Sequence, residues 1–197
     1  GGDPTTAASL ARPPPENGVD YVPFRSVLND RAGWLVGLMV LQSMSSFIIA
    51  RNESLLEAHL VIVQFLTMLV GAGGNAGNQA SVRVIRGLAV GTLNARTLRA
   101  FLWTEAKMAL CLSSILGVAG FVRAAIFQVP PPETIAITAS VYIIVIFSIL
   151  IGSLLPLGMR YVGIDPAHSS TTIQVLMDIL GVTITVQVSS LILNTGL

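Results

Sequence analysis

The chain has 197 residues, 53% of them hydrophobic and 11% charged, and its mean hydropathy is +0.77. A soluble domain has about a quarter charged residues, so this composition points to an integral protein of the lipid bilayer. A net charge of +1 gives no global basic signal for nucleic acid, and a single cysteine, Cys111, excludes an intrachain disulfide framework and a multi-cysteine metal site.

Residues 1–30 contain no apolar run. The stretch GGDPTTAASLARPPPENGVDY is rich in Pro, Gly, Ala and Thr. It reads as a flexible Pro-rich tail and lacks the apolar core of a secretory signal. Residues 31–197 form the membrane part. A helix needs about 20 apolar residues to cross a bilayer, and five segments qualify: Trp34 to Ala50, His59 to about Ala80, Ala100 to Val122, Ile135 to Met159, and Ser170 to Leu193. Pro130 to Pro132 separate the third from the fourth. Pro156 is placed to kink the fourth. Asp165-Pro166 marks the turn before the fifth, with Ser169 and Ser170 as candidate N-caps. The expected fold is an all-α polytopic membrane protein with five transmembrane helices.

Lys and Arg set the orientation. With the N-terminus inside, the inner side holds Arg12, Arg25, Arg31, Arg83, Arg86, Arg96, Arg99, Lys107 and Arg160, and the outer side only Arg51 and Arg123. The C-terminus is then outside. His59 and His168 lie near span ends and read as interfacial. Cys111 reads as an ordinary packed residue.

Two polar features interrupt this apolar pattern. The second segment runs into VGAGGNAGNQASVRVIRG, where Gly73/Gly77 and Gly87/Gly91 are GxxxG pairs that permit close helix approach. Gly74, Gly77, Asn75, Asn78 and Gln79 are candidates to line a water-filled path, the glycines by letting the helix open. The fifth segment places Asp178 deep in the membrane, where an ionised carboxylate costs at least about 2.5–3.5 kcal/mol. A cation ligand or proton relay accounts for such a residue. The bland alternative is an Asp paired with a buried Arg or capping a broken helix. Ser170, Gln174 and Asp178 share one helix face, extended by Gly181 and Thr185. A pore wall and interhelical hydrogen bonding both fit that stripe. An intramembrane aspartyl protease would need a second membrane Asp and is disfavoured, so no enzyme is expected.

GAGGNAGNQASVRVIRGLA, Gly71 to Ala89, resembles the second-helix signature of the MgtE family of magnesium channels. GIDPAHSSTTIQVLMDILG, Gly163 to Gly181, resembles its fifth-helix signature, about 85 residues on. FLWTEAKMAL, with Glu105, is similar to the start of the family's third helix. The resemblance covers about residues 31–197. It implies a homodimer with its pore on the two-fold axis, lined by the second and fifth helices. It also implies transported Mg²⁺ or another divalent cation, no organic cofactor, and an ion site at Asp178 with Gln174 one turn earlier. Two copies would bring two carboxylates together, so protons would compete with the ion. The bacterial family usually has a large cytosolic sensor region before this unit, and here a Pro-rich tail precedes it. Ser170 and Thr171 stand where the family often has Asn and Pro. A non-transporting membrane subunit of a larger complex is the competing expectation.

Overall fold

The computed structural model describes residues 24–194, and every element among them is helical. In chain order these are α1 (Phe24–Gln42), α2 (Met44–Arg51), α3 (Glu53–Ala58), α4 (Leu60–Ala89), α5 (Leu98–Ile126), α6 (Pro131–Tyr161), a short 3₁₀ turn (Pro166–His168) and α7 (Ser169–Asn194). Five stretches are long and apolar enough to cross a membrane: Phe24–Arg51, Leu60–Ala89, Leu98–Ile126, Pro131–Tyr161 and Pro166–Asn194. All five expected spans are present. Each extends beyond its apolar run, because helix formation continues into the interface. Helix α1 begins at Phe24, inside the stretch read as tail; residues 1–23 lie outside the described residues.

Chain contacts define two units, one ending at Gly37 and the other beginning at Leu38. In the first, α1 presents Phe24, Leu28, Leu35 and Val36 as exposed side chains. The second contains the helical bundle. Its centre is α6, the most apolar of the five spans, which packs against α4, α5 and α7. Ile137, Val141, Ile144, Val145 and Ile149 of α6 meet Phe65, Leu69, Ala76 and Ala80 of α4, Ala109 and Ala124 of α5, and Ile173 and Met177 of α7. Helix α6 runs through Pro156 without interruption.

Small residues set the helix spacing. Apolar lipid gives helices no hydrophobic reason to associate, so close backbone approach supplies the contact energy. On α5, Ala109, Ser113, Gly117, Gly120 and Ala124 form a buried stripe, while Trp103, Leu110, Ile115, Val118 and Phe121 stay exposed. Cys111 is also exposed on α5, against the expectation that it is packed. A position two residues after Ala109 points away from the small-residue stripe.

Gly73 and Gly77 fit the close-approach reading. A Cβ at Gly73 would lie 2.6 Å from Ile144 Cγ2, and one at Gly77 would lie 2.5 Å from Ser148 Oγ. Gly152 of α6 faces the Gly77 carbonyl so closely that no side chain fits there. The second pair behaves differently. Gly91 has φ +76° and open space around it, so it ends α4 rather than packing against a neighbour. Nor does the glycine-rich stretch open the helix, since α4 is continuous from Leu60 to Ala89. Its carbonyls are used within the bundle, where the Ser148 hydroxyl donates to the Gly73 carbonyl.

Candidate ion pathway

The start of α7 is fixed by local chemistry. The Asp165 side chain accepts from the Ala167 N–H at 2.9 Å, and Pro166 supplies a preset φ at the first turn position. Asp165 therefore caps the turn. The Ser169 hydroxyl donates back to the Pro166 carbonyl at 2.6 Å, and it also lies 2.7 Å from the Ser81 hydroxyl of α4.

From there α4 and α7 run side by side, joined by polar and small residues. The Ser170 hydroxyl donates to Asn78 Oδ1 at 2.6 Å. The Gln174 amide lies over Gly74, where any Cβ would collide with it. Further along, Gly181 is buried against Val70, and the Thr185 hydroxyl donates to the Gly181 carbonyl at 2.7 Å. The glycine-rich segment and the start of α7 thus lie at one level. The predicted lining residues divide between two environments. Asn75, Gln79 and Gln174 are exposed, while Asn78, Ser170 and Asp178 are half-buried. Gly74, Gly77 and Gly181 are buried between helices, so in the single chain they are packing positions and not part of the open surface. On α4 the exposed polar line extends past the predicted set to Gln64 and Thr67, which recur on the same helix face.

Asp178 sits about 13 Å along α7 from Ser169 at 1.5 Å per residue. One carboxylate oxygen accepts from the Gln42 amide and the other from the Gln174 amide at 3.4 Å. Both partners are neutral, and among the described residues Asp178 makes no ion pair. The bland alternative of an Asp paired with a buried Arg is therefore not what the geometry gives. Sequence reasoning missed Gln42. It lies at the break between α1 and α2, where Ser43 interrupts the helix, and a polar Gln-Ser pair within an apolar run was the available signal.

The second membrane carboxylate is placed differently. Glu105 of α5 is 2% exposed and lies 2.7 Å from the Arg83 guanidinium of α4, which also stacks over Phe101. At the other end of the bundle, His59 Nδ1 meets Glu133 Oε1 at 2.9 Å, and Arg123 lies over the rings of Phe65 and Phe127. Among the described residues no three His, Cys, Asp or Glu side chains converge. At Asp178 the described residues therefore provide one carboxylate with the Gln42 and Gln174 amides beside it.

The profile of the MgtE family, described as a divalent cation transporter, matches residues 66–188. The chain belongs to the MgtE family. Three curated relatives, each named magnesium transporter MgtE, align with it. The Thermus thermophilus protein is 33% identical over 165 residues, covering 83% of this chain and 36% of the relative. The Bacillus subtilis protein is 26% identical over 155 residues, covering 78% of this chain and 34% of the relative. The Enterococcus faecalis protein is 26% identical over 165 residues. The chain spans about a third of the length of these relatives. MgtE proteins are ion transporters, not enzymes, and the five apolar helices of this chain make it an integral membrane protein.

Proposed function

We propose that this MgtE-family chain conducts a divalent cation, with Mg²⁺ preferred, along a pore lined by α4 and α7 of two copies, and that Asp178 is the ion ligand. The observation that supports this most is the state of Asp178: a half-buried membrane carboxylate whose partners are the neutral amides of Gln42 and Gln174. A carboxylate in hydrocarbon needs a compensating charge, and a passing cation supplies it. Mg²⁺ sheds its water shell reluctantly and is commonly held by one or two carboxylates through retained waters. A two-fold pair of Asp178 side chains suits a hydrated ion of that kind. Gln174, with the exposed amides of Asn75 and Gln79, offers hydrogen bonds to the ion's waters. The arginine distribution supports an inward N-terminus and an outward C-terminus.

The test is Mg²⁺ flux into liposomes holding the purified chain, with Co²⁺ and Mn²⁺ as competitors and Asp178→Asn in parallel. Saturable flux that disappears in Asp178→Asn is expected. Wild-type flux in the variant would sink the site. Absence of flux in the wild-type protein would favour the reading as a non-transporting subunit of a larger complex.

A further inference from the structure

We infer that the hollow between the end of α4 and the start of α5 binds the phosphate of an anionic phospholipid headgroup. Helix α4 has 30 residues and is therefore about 45 Å long, whereas the hydrocarbon core is about 30 Å thick. Arg83 and Arg86 lie about 35–39 Å along α4 from Leu60, at headgroup depth. Between Arg83 and Arg99 the sequence has four arginines, Arg83, Arg86, Arg96 and Arg99, and no acidic residue.

The hollow has a volume of about 480 Å³ and is lined by Arg83, Arg86, Val90, Leu93, Thr97 and Phe101, among others. Its wall is fixed in advance by hydrogen bonds. The Leu93 N–H donates to the Gly87 carbonyl at 2.9 Å, and the Thr97 hydroxyl donates to the Thr92 carbonyl at 2.8 Å. The two arginines differ. Arg83 is held by Glu105 and Phe101. Arg86 is exposed, and among the described residues its guanidinium has no ion pair. A fixed cation beside an unpaired one suits a phosphate, which Arg recognises through paired N–H groups.

The surroundings favour lipid over a soluble phosphate. Val90 is 72% exposed and Trp103 66% exposed, so apolar surface suited to acyl chains adjoins the charges. A second hollow, of about 770 Å³, is lined by Arg96, Arg99 and Trp103 on the same loop and helix start. Basic pockets between membrane helices bind acidic headgroups, and Trp marks the interface level. The inference is independent of the ion site at Asp178.

The test uses the full chain in detergent, titrated with phosphatidylglycerol or phosphatidylcholine and read by native mass spectrometry. Arg86→Gln and the double variant Arg96→Gln/Arg99→Gln are compared with Arg51→Gln, at the C-terminal end of α2 and outside both hollows. Phosphatidylglycerol should bind in preference to phosphatidylcholine. Arg86→Gln should weaken that binding about fivefold, Arg96→Gln/Arg99→Gln, which alters the second hollow, should weaken it less, and Arg51→Gln should leave it unchanged. Equal binding of the two lipids, or an intact preference in Arg86→Gln, would overturn the inference. Displacement of the lipid by glycerol 3-phosphate at equal concentration would overturn the lipid assignment.

Discussion

Asp178 and Glu105 are both carboxylates within membrane spans, yet their surroundings have little in common. Glu105 is almost fully enclosed and faces a guanidinium at 2.7 Å. Asp178 is half-buried, opens onto a polar helix face and, among the described residues, has the amides of Gln42 and Gln174 as its hydrogen-bond partners. A buried charge with a fixed countercharge is already compensated and has nothing further to bind. One held by neutral dipoles keeps its net charge available. The contrast distinguishes an ion-paired carboxylate from the one we propose as the cation ligand, although both are membrane acids in the sequence.

Substitution can break this contrast at either site. The largest effect is expected from Asp178→Asn, which should reduce divalent-cation flux in liposomes to background while leaving thermal unfolding in detergent close to wild type. Glu105→Ala should do the opposite. Removing one partner of a buried pair costs about 3 kcal/mol, the low end of the usual range because Arg83 is half exposed. Thermal unfolding should show that loss, and the double variant Arg83→Met/Glu105→Leu should recover most of it. Gln42→Ala sharpens the contrast at Asp178. A residue that orients a metal ligand changes affinity by about 10-fold or more, so the half-saturating Mg²⁺ concentration should rise by about that factor with stability unchanged. The smallest effect belongs to Cys111→Ala, within about 0.5 kcal/mol by thermal unfolding. In that background, Asn75→Cys should react with water-soluble thiol reagents and Ile115→Cys should not.

The sequence exposed those parts of the structure that depend on local pattern. The five apolar runs located five helices, because each span must satisfy its own backbone hydrogen bonds in lipid. The i, i+4 spacing of Ser170, Gln174 and Asp178 located the polar face of α7, and the Asn78–Ser170 hydrogen bond joins it to the glycine-rich stretch. What escaped was long-range or depended on packing. Arg83 and Glu105 are paired across two helices, and neither belongs to a short motif that announces the other. Gln42 reaches Asp178 only because α1 ends where it does. The four glycines spaced as GxxxG looked alike in sequence, yet Gly73 and Gly77 meet α6 while Gly91 adopts a left-handed turn. That difference lies in which surface faces a neighbouring helix, and sequence spacing does not encode it.

The seam formed by Gly73, Gly77, Ser148 and Gly152 has a mechanical consequence. Backbone lies against backbone there, with a serine hydroxyl joined to a carbonyl, so α4 and α6 have almost no slack to slide or rotate past each other. They form one strut. The contacts between α4 and α7 are mixed: Gly181 lies against the Val70 backbone, whereas Gln174 over Gly74 and Ser170 on Asn78 are side chains that can swing without moving a backbone. In the pore we propose, a change of width beside Asp178 would fall to side chains such as Gln174 and Ser170 and not to the seam between α4 and α6.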